Sequence, residues 1–278
     1  MKETNPAAKR SALLNKPVCH APRVFRKDSG LAPLSVACLL LFCLCVSLLA
    51  SPDYFPLEKG NYWIYRGETK FLVPKKNATE EEKQKGIANE GKSEVLTWRM
   101  EVVDTATRDG LFAALIKGAP FDLSWYEPGK VRGDYLIVRV GTATYYLLSG
   151  QAALDAWARV KDETQSLAEL DKSGELFLDA PLMEGKVFGG DFVNLAQGRY
   201  CWQVESERAF NPKRFPAAGK LEGARDFTLV YRTNPDHQIL DFVPGLGIVG
   251  FQYVHHGTLS ETDLGLIEFG RAKTGRNE

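Results

Sequence analysis

Cysteine is scarce where it would matter most. Cys19, Cys38, Cys43 and Cys45 precede residue 46, and everything from Ser51 onward holds only Cys201. One thiol cannot make an intrachain bridge, so a disulfide framework is excluded, and a lone cysteine reads as a small buried hydrophobe. Catalytic signatures are missing as well. There is no H-E-x-x-H zinc motif, no G-x-S-x-G elbow and no P-loop, and Gly245-Leu246-Gly247 lacks the third glycine and the βαβ setting of a dinucleotide fingerprint. These absences argue against the phosphate-cofactor and serine-hydrolase classes. No cofactor is expected.

Net charge is absent too, with 35 Lys+Arg against 35 Asp+Glu. The cancellation is uneven. Residues 1–30 carry Lys2, Lys9, Arg10, Lys16, Arg23, Arg26 and Lys27 against Glu3 and Asp28, which leaves the remainder acidic. An acidic body is a poor nucleic-acid binder, and no nucleic-acid partner is expected.

Between the two charged parts lies Leu31–Ala50, a run free of charge and long enough to span a bilayer. Basic, then apolar, then Ala50 before Ser51-Pro52-Asp53 is also the order of a secretory signal peptide. Leu48 is bulky for the −3 position of a cleavage site, so an uncleaved single-helix anchor stands beside cleavage. Either way residues 51–278 are expected on the far side of the membrane, in the periplasm or cell envelope, with membrane contact only through the N-terminal segment. Ser35-Val36-Ala37-Cys38 partly fits a lipoprotein signal but lies in the middle of the apolar run.

The exported body is rich in aromatic and β-branched runs separated by turn residues. Strands are expected at Asn61–Arg66, Val95–Val103, Leu111–Lys117, Asp134–Val140, Thr142–Leu148, Arg199–Glu207, Asp226–Thr233, Gly247–His255 and Thr258–Phe269. Gln151–Lys172 departs from this pattern: Leu154, Trp157, Val160, Thr164 and Leu167 recur at helical spacing, with Ser149 as a cap and Gly174 as a stop. Pro74–Glu94 has ten charged residues, five Lys and five Glu, and no aromatic, which reads as a mobile loop. The fold expected is mainly β within the α+β class, a curved antiparallel sheet or half-barrel with one amphipathic helix packed on it. A faint repeat accompanies it, since Pro56-Leu57-x-x-Gly60 before Tyr62-Trp63 is matched by Pro181-Leu182-x-x-Gly185 before Val187-Phe188.

Tyr54-Phe55-Pro56-Leu57-x-x-Gly60-Asn61-x-Trp63-x-Tyr65 and Val243-Pro244-Gly245-Leu246-Gly247-Ile248-Val249 resemble motifs near the two ends of uncharacterised exported bacterial proteins. The resemblance implies export and a curved antiparallel sheet similar in architecture to periplasmic lipoprotein carriers and lipocalin-like half-barrels. It brings no catalytic residues with it. Its glycines and prolines have a turn-forming explanation.

Two sets of residues are candidates for chemistry. Trp63, Tyr65, Trp98, Trp202 and Tyr253 could line the concave face of a curved sheet and hold a lipid or other apolar small molecule, or else form its core. His237 and His255 could meet across the last hairpin and bind a metal, with His256-Gly257 read as a turn. Adjacent histidines on a strand point to opposite faces, so only one of His255 and His256 can join a given cluster. Glu205 and Glu207 read as surface charges. The function expected is a non-enzymatic envelope protein binding a hydrophobic ligand, lipid or envelope protein partner. A metal-dependent hydrolase and a structural or assembly component of the envelope are the alternatives.

Overall fold

The computed structural model describes residues 54–213, 221 and 223–271. The basic region 1–30 and the apolar segment 31–50 lie outside the described residues.

Among the described residues, twelve antiparallel strands form one sheet: β1 (Tyr62–Pro74), β2 (Asn89–Arg108), β3 (Leu111–Lys117), β4 (Asp134–Val140), β5 (Thr144–Ser149), β6 (Glu175–Asp179), β7 (Val187–Phe188), β8 (Trp202–Ala209), β9 (Arg225–Arg232), β10 (Asp236–Val243), β11 (Gly247–His255) and β12 (Ser260–Gly270). The strand order is β6-β5-β4-β3-β2-β1-β12-β11-β10-β9-β8-β7, so two six-stranded meanders are joined through β1 and β12. Chain-consecutive β6 and β7 are the two free edges. The sheet curls until these edges approach, with Phe177 and Trp202 rings 6.0 Å apart across the seam. A curved, mainly β sheet is therefore the architecture, carried to a nearly closed barrel.

The faint repeat has a structural counterpart. Gly60 N donates to Val102 O and Val102 N to Asn61 O; Gly185 N donates to Val204 O and Val204 N to Lys186 O. Both glycines have φ above +80°, a region open to glycine and strained for other residues. Each meander thus begins with the same turn against its second strand, which then bulges, at Val102/Asp104 and at Val204/Ser206. The two lead-in segments cross over: Ala180 N bonds to Ala143 O at the β4–β5 turn, and Gly245 N at the β10–β11 turn bonds to Tyr54 O.

Aromatic plugs fill the barrel from both ends. Phe55 packs on Trp63, Tyr145, Phe177 and Phe242, which come from both meanders. From the other end the β3–β4 connection folds inward through a 3-10 turn at Pro120–Leu123, setting Phe121 against Tyr135, Phe177 and Phe251. Thr262 Oγ1 donates to Leu123 O and pins that connection to β12.

A second, smaller core lies outside the barrel beneath α2, the helix Gly150–Lys161. Tyr135 and Ile137 of β4 face the interior, while Leu136 and Val138 face α2. Covered on both faces, β4 reads as a continuous apolar run.

Two expectations are corrected. The helix expected over 151–172 ends at Lys161, and its buried face is Ala153, Ala156 and Val160, with Leu154 exposed. The Asp162 side chain accepts from Thr164 N and Oγ1, a local turn that competes with continued helix. Arg108 meanwhile donates to the carbonyls of Arg159 and Val160, open acceptors in the last turn of the helix, and to those of Asp162 and Gln165 just beyond it. Leu167 and Leu170 are buried, but from the turns that follow. Within Pro74–Glu94, read as a loop, β1 runs to Pro74 and β2 starts at Asn89, with α1 (Glu80–Gln84) between them under a Thr79–Glu82 capping box. Ladder bonds join backbone groups and the cap joins the polar side chains of Thr79 and Glu82 to backbone, so neither needs apolar side chains, which composition alone does not reveal.

Candidate functional site

The barrel end that carries the β3–β4 and β5–β6 connections holds a cavity of about 350 Å³. Inward side chains of several strands wall it: Tyr135 of β4, Leu147 of β5, Phe177 of β6, Trp202 of β8, Tyr231 of β9 and Gln238 of β10, with Phe121 reaching in from the connection. Glu175 stands at the mouth beside Ser173 and Ser149.

Register places these groups. Trp202 is opposite Tyr231, Tyr231 opposite Gln238, and Gln238 opposite Tyr253, so directly paired residues make one row across four strands on the inner face. On the facing side, a bulge in the β5–β6 pairing lets both Phe177 and Leu178 point inward and brings Glu175 opposite the inward Leu147. Trp202 and Tyr231 rings are 5.2 Å apart at 51°, and Phe177 meets Trp202 edge-on at 84°. The cavity is thus walled by rings set at steep angles to one another.

Its electrostatics are one-sided. Burial pushes the Tyr231 hydroxyl above its ordinary range, and the nearby Glu175 carboxylate adds to the shift. Burial does the same more strongly to Tyr135, whose hydroxyl donates to Asp122 Oδ1 at 2.9 Å. Asp122 is itself raised by burial, although Gly133 N and Tyr135 Oη donate to it. Tyr253 Oη donates to Asp236 Oδ2 at 2.9 Å, and burial again raises the phenol.

The five aromatics singled out in the sequence separate into two groups. Trp63 and Tyr65 are fully buried, with Trp63 Nε1 donating to Leu246 O and Tyr65 Oη to Ile248 O. Trp98 is buried and donates to Gly118 O. These three brace the core, each with its one polar atom satisfied. Tyr253 is buried at the far end of the four-strand row, outside the cavity lining, and Trp202 lines the cavity. Sequence reading passed over Phe121, Glu175, Phe177 and Gln238, because β6 is short and lies next to the helical pattern, and because a plug residue in a connection has no periodicity.

The histidines pair differently from expectation. His237 Nδ1 lies 3.0 Å from His256 Nε2, whereas His255 Nδ1 accepts from Gly257 N and Thr258 N and its ring packs 4.3 Å from Trp125. His255 is opposite Asp236 and His237 opposite Val254, so His237 and His255 project from opposite faces of the sheet. The strand alternation that separates His255 from His256 selects His256 as the partner of His237. Among the described residues no group of three or more His, Cys, Asp or Glu side chains is placed to hold a metal. Glu205 pairs with Arg232 and Glu207 with Arg225 as ordinary ion pairs.

No protein-family model matches the chain, and comparison with curated proteins yields no match. Two solved structures are similar to it. One is a candidate exported protein with a YmcC-like fold from Bacteroides fragilis NCTC 9343, 9% identical, covering 79% of this chain and 100% of that one at a TM-score of 0.37. The other is a candidate lipoprotein from Parabacteroides distasonis ATCC 8503, 10% identical, covering 79% of this chain and 99% of that one at a TM-score of 0.30.

Proposed function

We propose that the protein is an exported component of the cell envelope that binds a small molecule with an apolar body in the open end of its barrel. The observation that carries the binding half is the 350 Å³ cavity walled by Phe121, Phe177, Trp202 and Tyr231. These rings pack on one another along the wall, yet the space they border, between them and Leu147 and Gln238, is left unfilled, whereas a sheet that needed only a core would close it. Ligand sites are concave, with polar groups that orient the guest set among apolar walls; here the polar share is large, from Gln238, Ser149, Ser173, Glu175 and the tyrosines beside the rings. Export is supported by the basic region followed by the charge-free run Leu31–Ala50.

The test is native mass spectrometry of the full chain purified from its own host, beside Leu147→Trp, which places an indole in the cavity. The wild type is expected to carry a bound small molecule and the variant to lose it while keeping the far-ultraviolet circular dichroism of the wild type. A wild type that carries nothing, and that binds an environment-sensitive apolar dye no better than Leu147→Trp does, overturns the reading.

A further inference from the structure

Among the described residues, the lining of the open-end cavity contains one carboxylate, Glu175, and no lysine, arginine or histidine. Glu175 faces inward because its strand partner is the inward Leu147, and it stands beyond Phe177 where the cavity meets solvent. Among the described residues it has no ion-pair partner, whereas its strand mate Asp179 is paired with Lys186 at 2.8 Å. An uncompensated negative charge thus overlooks a space walled by aromatic rings.

We propose that the ligand of this cavity is an organic cation: an ammonium or quaternary ammonium group on an apolar body, with its charge held between Glu175 and the rings of Trp202 and Tyr231. The proposal rests on reading the cavity as a ligand site and specifies the class of ligand. Ring quadrupoles attract cations, and Trp202 is the strongest such partner among side chains. The hydroxyls of Tyr135 and Tyr231 are neutral near pH 7, as phenols ordinarily are, and burial only reinforces this, so neither adds a charge. An anionic guest such as a fatty carboxylate would set its charge against Glu175 in a site with no base to offset the repulsion. The first-turn N–H groups of α2 open near the same mouth, where Ser149 and Ala152 contribute to the lining. Their combined effect is that of about half a positive charge, less than the full charge of Glu175. The mouth therefore favours a cation.

The experiment uses three water-soluble probes that share a phenyl body: benzyltrimethylammonium, benzyl alcohol and benzoate. Each is titrated calorimetrically into the full chain held in lipid nanodiscs, with empty nanodiscs as reference, for the wild type, Glu175→Gln and Glu175→Lys. The wild type is expected to bind benzyltrimethylammonium roughly tenfold or more tighter than benzyl alcohol, with benzoate weakest. Glu175→Gln is expected to reduce that preference several-fold, and Glu175→Lys to shift the order toward benzoate. Equal affinity for the three probes, or a preference that Glu175→Gln leaves intact, overturns the cation assignment and leaves the cavity reading standing. If none of the probes binds any of the proteins, the cavity reading falls and the cation assignment falls with it.

Discussion

Gly189 and Leu176 meet across the seam of the barrel: a Cβ on Gly189 would lie 2.6 Å from the Leu176 carbonyl oxygen. Gly189 also has φ +83°, so a side chain there would be strained as well as crowded by backbone that cannot swing aside. Gly189→Ala is expected to destabilise the protein by about 2–4 kcal/mol, measured by urea unfolding. Gly141→Ala is the control, since Gly141 has φ +62° with nothing near its Cβ position. Its cost should be about 1 kcal/mol, from conformation alone. Equal costs at both sites would show that the seam is not a close contact.

The His237–His256 contact predicts a pH dependence. Burial is the main cause that lowers the His237 pKa, with His256 and Arg232 adding to it and Asp236 and Glu205 opposing it. A histidine with a folded-state pKa below its unfolded value binds fewer protons when folded. Stability from this group is therefore present above the unfolded pKa, near 6.5, and is lost as pH falls through that value toward the folded pKa. Urea midpoints measured between pH 7.5 and 5 should fall, and His237→Gln should flatten the fall.

Arg208 joins two buried acids, with Nε donating to Asp226 Oδ2 at 2.9 Å and Nη2 to Asp241 Oδ1 at 2.8 Å. The guanidinium is itself nearly half exposed, so the loss on Arg208→Met should lie below that of a fully buried pair, at about 2 kcal/mol. Arg208→Lys should recover little, because one ammonium cannot present the two-pronged geometry that reaches both carboxylates. Chemical denaturation of the two variants measures this, and a lysine variant as stable as the wild type would count against the two-pronged geometry.

Arg108 sets the end of α2 from more than fifty residues away through its bonds to Arg159, Asp162 and Gln165. Arg108→Ala should cost about 1–3 kcal/mol, since hydrogen bonds from a charged donor are lost together. Amide hydrogen exchange should show the loss of protection concentrated in residues 158–167. A uniform change across the barrel would argue against a local role for Arg108.

How much of this was legible from composition and pattern differs from element to element. Strands β3, β4 and β11 occur at the bounds that alternation and turn residues predict, since each is a short apolar run between strong turn formers. β6 and β7 have no such signature: one has five residues, the other two, and both are edges held by a single neighbour. The helix pattern over 151–172 mixed two environments, α2 itself and the turns that bury Leu167 and Leu170 in the same outer core.

The sequence by itself determined the local and the compositional: the absence of a disulfide framework, the uneven charge around Leu31–Ala50, the meander of antiparallel strands, and the lead-in turn used twice at Gly60 and Gly185. These follow from residue types and short-range spacing, and no distant contact changes them. Only the tertiary structure decided which aromatics brace the core and which wall a cavity, because Trp63 and Trp202 carry the same side chain and differ in what the curled sheet sets opposite them. It also decided that Glu175 faces inward, through one bulge against β5, and that His237 meets His256 rather than His255. Strand register and closure of the barrel settle these points. Both depend on pairings between residues far apart in the chain, which local pattern does not encode.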